Sequence, residues 1–389
     1  ASPSQLANSS PTWERTLVHM SKGKRLISTV TSGSKVHLSI EEFQVPNPKP
    51  DEVLIEVAAS PINPSDLGVL LGGADPSTVA TSENGLTFSL PDGAIDGLRG
   101  RADQPMPVGN EGSGVVIEAG AGEQAQALNG KIVAVLAGGM YATHRIVKSR
   151  DCLVLEEGTK ALDAASCFVN PLTALGMTES MRLEGHSALI HTAAASNLGQ
   201  MLNRICIDDK IGLVNIVRRD EHVELLRNQG AAYVVNSSSP DFRKDLVDAL
   251  SKTGATIAFD AIGGGELATE LLHAMEIAAS STGGEYSRYG STTHKQLYIY
   301  GGLDRGPTLL KRSYGMAWGV AGWLLPNFLA KIGSERSGEL RQRVASELST
   351  TFASSYSDTL SLESILDIEQ MKKYSQMSTQ GKSLVCPQL

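Results

Sequence analysis

Residues 187–235 read SALIHTAAASNLGQMLNRICIDDKIGLVNIVRRDEHVELLRNQGAAYVV, and the succession of residue types in this stretch decides the fold. Ser187–His191 is short and apolar enough for a buried strand. Thr192–Gly199 is nearly all small residues, Gln200–Ile207 can continue as a helix, and Gly212–Val217 supplies a second strand. This is a strand–helix–strand unit of about 30 residues. A helix that begins at such a turn aims unpaired N–H groups and its positive dipole end into it, where a dinucleotide pyrophosphate is the usual occupant. The turn departs from G-x-G-x-x-G, because Ala194 and Ser196 stand at the first two glycine positions and only Gly199 remains. A plain packing turn is therefore the competing reading. The second strand ends Val217-Arg218-Arg219, and Asp220 comes only afterwards. NAD-selective sites place an acid there to accept from the ribose 2′-OH, whereas a guanidinium matches a 2′-phosphate. The residues thus predict NADPH, with Ser196, Asn197, Leu198, Gly199, Arg218 and Arg219 around it, against a solvated arginine pair pointing away.

Outward from this unit, helical and strand patterns alternate. Leu162–Ala165 and Leu172–Met181 read as helices before it. After it come a helix Glu221–Gln229, a strand Tyr233–Val235, a helix Phe242–Ser251 and a strand Thr256–Ala261 running into three glycines. A helix Leu267–Ala278 and a strand Gln296–Tyr300 ending at Gly301-Gly302 follow. Such alternation predicts a doubly wound parallel sheet with its ligand at the C-terminal strand ends. Residues 24–60 look β-rich, with a strand at Val53–Ala58, and Gly112–Ala119, Lys131–Leu136 and Gly139–Val147 add further strands. Residues 68–106, rich in Gly, Asp, Ser and Pro, read as a long irregular functional loop. Trp318, Trp323 and Phe328 fall in an apolar stretch read as helical, either core or one wall of a substrate tunnel. Leu340–Phe352 and Leu362–Met371 are predicted helices, and Gly381–Val385 is a last strand returning to the first domain.

At 389 residues the chain fits two domains rather than one core. A formal charge of −8 argues against nucleic acid or an anionic membrane as a main partner. The most apolar stretch, Met316–Leu325, is shorter than the ~18 residues of a membrane span. Four scattered cysteines without C-x-x-C suit reduced thiols in an intracellular compartment. The expected location is cytoplasmic, or an organellar matrix if the Ser- and Pro-containing N-terminus is the remnant of a transit peptide.

Several segments in order resemble the zinc-free branch of the medium-chain dehydrogenase/reductases, the quinone oxidoreductases and 2-enoyl thioester reductases. They are Ala59-Ser60-Pro61-Ile62-Asn63-Pro64-Ser65-Asp66, Pro107-Val108-Gly109-Asn110-Glu111-Gly112-Ser113-Gly114 and Asn170-Pro171-Leu172-Thr173-Ala174. Ala193-Ala194-Ala195-Ser196-Asn197-Leu198-Gly199, Tyr300-Gly301-Gly302 and Gly381-Lys382-Ser383-Leu384-Val385 complete the set. The resemblance implies an α/β protein: a GroES-like β-barrel catalytic domain (24–160 and 345–389) and a Rossmann NADPH-binding domain (161–344), after a flexible segment 1–23. It also implies a cleft between the domains, a homodimer by analogy, and Tyr300, Gly301 and Gly302 on the cofactor. Asn110 stands where zinc-dependent relatives have His, no Cys cluster exists, and His144, His186 and His191 lack ligand spacing. The site is expected to hold no metal.

Without Lewis-acid polarisation, conjugate reduction is the accessible chemistry: hydride reaches the β-carbon and donors stabilise the resulting enolate. The expected function is NADPH-dependent reduction of an enone, enal or enoyl thioester. The alternatives are quinone reduction and a non-catalytic NADPH-binding role. By the resemblance, Asn63 and Thr173 contact the nicotinamide and Tyr141 lines the cleft, so Asn63, Tyr141 and Thr173 are the catalytic candidates. The competing readings are a turn cap for Asn63, a helix-start hydroxyl for Thr173 and wall packing for Tyr141. Where the enoyl thioester reductases carry a donor tyrosine, this sequence has Asp75, which as a turn residue would donate nothing. Tyr286 and Tyr289, in a polar loop, are further candidates for the cleft.

Overall fold

The computed structural model describes residues 21–282, 285–376 and 382–389. The expected flexible segment at the N-terminus falls mostly on residues outside that description. Three sheets organise the molecule, with a two-stranded ribbon beside them.

The first two sheets, largely antiparallel, form the β-rich module. One pairs Lys22–Thr31 with Lys35–Gln44 along their whole length. The other is seven-stranded and centres on Glu52–Pro61, which lies between Glu111–Ala119 and the C-terminal Lys382–Val385 strand. The chain end therefore completes the module begun by its N-terminal third. Alternation drives the inner faces: Val53, Ile55 and Val57 are fully buried while Glu56 between them is exposed.

The third sheet is all parallel and six-stranded. In spatial order its strands are Tyr233–Asn236, Gly212–Val217, Ala188–His191, Ile257–Asp260, Lys295–Ile299 and Trp318–Gly322. In chain order this is the 3-2-1-4-5-6 arrangement, whose direction reverses between Ala188–His191 and Ile257–Asp260, and ligands bind at that crevice. The central strands are buried on both faces. Leu189 and Phe259 pack under the helix Val169–Leu183, while Ile190, Val214 and Leu297 pack on the opposite side.

Four local expectations are corrected. The stretch holding Trp318 is not helical: Trp318–Gly322 is the sixth parallel strand, paired with Lys295–Ile299. It is an edge strand, half-buried at most, and a short apolar run of this kind cannot be separated from a helix by periodicity alone. Trp323 follows it, donating Nε1–H to the Ser180 hydroxyl at 3.0 Å, and Phe328 lies in the helical stretch Leu325–Ser346, which breaks at Gly333 (φ 80°) and whose second part holds residues 340–346 of the predicted 340–352 helix. Residues 68–106 are not one irregular loop; they include the hairpin strands Ala80–Ser82 and Gly85–Ser89, the latter pairing with Lys35–Gln44. Only His144–Lys148 of the predicted 139–147 strand is extended, because Gly138 and Gly139 take positive φ (68° and 66°) and turn the chain. The predicted helix Leu362–Met371 is split into Leu362–Ile365 and Ile368–Ser375, where the Asp367 side chain caps the second by accepting from the Gln370 N–H.

Candidate functional site

The crevice at the sheet reversal is built from its strand ends. Thr192 Oγ1 donates to Asp260 Oδ1 at 2.7 Å and accepts from the Ala261 N–H at 2.8 Å. Asp260 also accepts from the Ile262 and Gly263 N–H groups. The two central strands are thereby tied where they diverge. Between Ala188–His191 and the helix Asn197–Asp208 the chain turns through Ala193, held at φ 50°, a left-handed conformation that L-residues other than Asn and Asp rarely take.

Ser196 is the N-cap of that helix and its hydroxyl accepts from the Gly199 N–H at 3.1 Å. Asn197 and Leu198 occupy the first turn, whose N–H groups have no intrahelical acceptor. A Cβ on Gly199 would lie 2.2 Å from the Ala194 carbonyl oxygen, so no other residue lets the helix come this close to the turn. The single glycine retained from the fingerprint is the one the packing requires. Asn197 Nδ2 donates to Ser354 Oγ at 3.2 Å and so holds the turn to the segment after Leu325–Ser346.

At the next strand end Val217 is buried while Arg218 and Arg219 are exposed. Arg219 Nη1 donates to Glu221 at 3.2 Å. Among the described residues no ion pair engages Arg218. Asp220, the first acid after the strand, accepts from Asn236 Nδ2 at 2.7 Å. An anion-receptive turn, a glycine cradle and an unneutralised arginine at the ribose position together fit a 2′-phosphorylated dinucleotide.

Behind the crevice lies His191, fully buried at the end of its strand. Its Nε2 is 2.6 Å from the Tyr300 hydroxyl and its Nδ1 has no partner. Burial pulls its pKa down to about 3, so the ring is neutral at pH 7. Tyr300 follows the strand Lys295–Ile299, and its backbone N–H donates to the Asp260 carbonyl at 3.0 Å. Gly301 lies so near Ala261 that a Cβ would sit 2.8 Å from its carbonyl oxygen, whereas Gly302 has open space. His186 and His144 bond to Thr256 and Thr143 hydroxyls.

Thr173 is in the helix Val169–Leu183, 6% exposed, with Oγ1 donating to the Val169 carbonyl at 2.5 Å. Its lone pairs remain available to an N–H donor. The start of that helix is gripped by Glu111, whose Oε2 accepts from the Phe168 and Val169 N–H groups at 2.8 and 3.0 Å. Glu111 Oε1 accepts from Asn63 Nδ2 at 2.7 Å, and Asn63 Oδ1 accepts from Lys382 Nζ at 2.6 Å. Asp66 accepts from the Asn63 and Asn110 N–H groups, both at 2.8 Å. Burial raises the Asp66 pKa to about 7 and lowers that of Lys382 to about 8.

Two catalytic candidates are engaged within the protein. Asn63 is fully buried with both ends of its carboxamide hydrogen-bonded, to Glu111 and Lys382. Tyr141 is fully buried and its hydroxyl donates to the Pro61 carbonyl at 3.0 Å; it packs inside the barrel module instead of lining the cleft. Asp75 caps the short turn Pro76–Thr78, accepting from the Ser77 N–H, and is a turn residue. Tyr286 and Tyr289 are 94% and 60% exposed. Glu111, Asp66 and Lys382 stand inside sequence motifs, but nothing in the sequence shows that their charges meet. Among the described residues no group of three His, Cys, Asp or Glu is placed to hold a metal ion.

No family model matches the chain. A mitochondrial enoyl-[acyl-carrier-protein] reductase of Xenopus tropicalis is 26% identical over 278 residues, 69% of this chain and 67% of that protein. A synaptic vesicle membrane protein VAT-1 homolog of Rattus norvegicus is 26% identical over 60% of the chain, which spans only 52% of it. An NADPH quinone oxidoreductase of Kluyveromyces marxianus is 25% identical over 65% of the chain and 67% of its own length. Among solved structures, the Etr1p/NADP/crotonyl-CoA complex superposes with a TM-score of 0.65 at 19% identity, covering 94% of this chain and all of that one. Besides the VAT-1 homolog, the relatives and structural neighbours include enoyl reductases and NADPH quinone oxidoreductases, the branch that the sequence motifs implied.

Proposed function

We propose that this chain is an NADPH-dependent reductase of activated C=C bonds, in enones, enals or enoyl thioesters, with hydride delivered to the β-carbon. The observation that carries the reading is the unneutralised Arg218 beside a capped helix start at the sheet reversal. The relatives named for enoyl reduction support the substrate class. Quinone reduction is the second reading, favoured by the quinone oxidoreductase relative.

When bound, the reduced nicotinamide supplies the hydride. The first-turn N–H groups at Asn197 and Leu198 take the pyrophosphate, Arg218 the 2′-phosphate, and Thr173 an amide N–H of the nicotinamide carboxamide. Gly301 and Gly302 let the backbone approach it. With Tyr141 internal and Asp75 engaged in a turn, the phenol at the C-terminal sheet edge is Tyr300. A ring proton on His191 Nε2 directed at the Tyr300 oxygen leaves Nδ1 a bare lone pair, which costs less than a buried unpartnered N–H. That tautomer frees the Tyr300 hydrogen to donate to the developing enolate oxygen, and a proton from solvent then completes the α-carbon. Glu111, braced by Asn63 and Lys382, fixes the helix that carries Thr173.

In this reading residues 24–160 and 345–389 form the substrate-facing barrel module and residues 161–344 the nucleotide module, acting on a small molecule as a homodimer. No helix among the described residues is long and apolar enough to cross a membrane; cytoplasm or an organellar matrix is the proposed setting. Steady-state NADPH oxidation with crotonyl thioester, 2-hexenal and a naphthoquinone tests the function. Turnover restricted to the quinone favours the second reading, and NADPH binding without turnover of any of them refutes both.

A further inference from the structure

Away from the nucleotide crevice, the barrel module holds a cavity of about 470 Å³, within the size range of small-molecule sites. Its lining combines the apolar side chains of Phe43, Leu54 and Ile146 with the cationic or titratable ones of Arg25, His144 and Arg145.

Arg145 sets the character of this cavity. Its Nε donates to the Gly138 carbonyl at 2.8 Å, Nη1 to the Ile146 carbonyl at 2.9 Å and Nη2 to the Ala137 carbonyl at 3.3 Å. Every one of these acceptors is neutral. A guanidinium has five N–H donors, so each terminal nitrogen keeps one N–H beyond these bonds. Among the described residues no ion pair engages Arg145, and the groups that disturb its charge are the surrounding protein, by burial, and the like charge of Arg25. A half-buried cation facing another cation is unfavourable unless an anion joins them.

The remaining charges around the cavity do not supply that anion. Arg25 lies 4.9 Å over the Phe43 ring and its Nε donates to Glu41 at 2.7 Å, so Glu41 offsets Arg25. His144 is pushed toward its neutral form by burial, with Glu56 the carboxylate acting on it, and its Nδ1 is 2.9 Å from the Thr143 hydroxyl. Glu56 itself is exposed. The balance leaves one positive charge on a planar fork, in a cavity also lined by apolar side chains.

We propose that this cavity is a second small-molecule site that takes an organic oxyanion, its carboxylate or phosphate on Arg145 with Arg25 beside it, and its carbon chain against Phe43, Leu54 and Ile146. The inference stands whether or not the reductase reading holds, because it uses none of the nucleotide-site residues.

The test titrates the full chain with hexanoate, hexyl phosphate and hexanol, followed by calorimetry and thermal melting. At least one of the two anions is expected to saturate and raise the melting temperature, while hexanol does not. The anion that binds identifies the headgroup. Arg145→Gln is expected to weaken that binding by about tenfold or more, the scale of a lost charged hydrogen bond, with NADPH binding unchanged. Should Arg145→Gln fail to fold, Arg25→Gln, at a more exposed position, is expected to weaken the anion in the same direction. Absence of binding by both anions, equal binding of hexanol, or unchanged affinity in the arginine variants would overturn the proposal.

Discussion

Replacing Arg218 by alanine removes the one guanidinium at the ribose end of the crevice that no carboxylate engages, while Arg219 already donates to Glu221 at 3.2 Å. A hydrogen bond to a charged group contributes about 1.5–3 kcal/mol, and each 1.4 kcal/mol is about tenfold in affinity. Arg218→Ala should therefore weaken NADPH binding by roughly tenfold to a hundredfold. NADH presents a hydroxyl at that position, where an arginine contributes little, so its affinity should stay within about twofold. Arg219→Ala should cost NADPH less than Arg218→Ala, since its charge is partly neutralised and 58% exposed. Fluorescence titration of both reduced nucleotides against wild type and the two variants measures this. The loss should shrink as ionic strength rises, because the contact is solvent-screened. Equal weakening of NADPH and NADH by Arg218→Ala would refute the 2′-phosphate assignment and leave the arginine a surface charge.

Gly199→Ala places a Cβ 2.2 Å from the Ala194 carbonyl oxygen, so the helix must shift from the turn; nucleotide binding should be lost and the melting temperature should fall, checked by calorimetry. Tyr300→Phe should lower kcat for an enone by about 10²–10³-fold with little change in NADPH affinity, as loss of an oxyanion donor does, whereas wild-type kcat would remove Tyr300 from that role. Asp66 has a folded pKa near 7 against an ordinary value of 3.8, so its folded form holds the proton more tightly. Its contribution to stability is complete below the ordinary value and is lost as pH rises through about 7. Denaturant melts should show wild type losing stability across that window relative to Asp66→Asn, and parallel pH profiles would contradict the assignment.

The parallel sheet was legible because its strands alternate with helices of unambiguous length and because glycines mark a helix end at Gly230 and follow strand ends at Gly263 and Gly301. The cofactor turn was legible for the same reason: small residues between a buried strand and a helix leave few other conformations. The Trp318–Gly322 strand was not, since it is a five-residue edge strand of small and apolar residues, half-buried at Trp318–Val320 and exposed at Ala321 and Gly322, and so short a run carries no period. The hairpin within 68–106 was hidden by its brevity, its strands being three and five residues long. The burial of Asn63 and Tyr141 was not legible, for a different reason. Motif position locates a residue along the chain, but the direction of its side chain depends on partners from afar: Lys382 reaches Asn63 across 319 residues and Pro61 meets Tyr141 across 80. Such burial is a property of the closed barrel module, and no local signal encodes it.

The central claim is hydride transfer from a phosphorylated nicotinamide to the β-carbon of an activated alkene. Incubation with NADPH carrying deuterium at the transferable C4 position and an enoyl thioester, enal or enone, followed by mass and NMR analysis of the product, tests it most directly. The account predicts a saturated product with one deuterium, on the β-carbon. Product labelled elsewhere, or NADPH left unconsumed by every one of these acceptors, would contradict it.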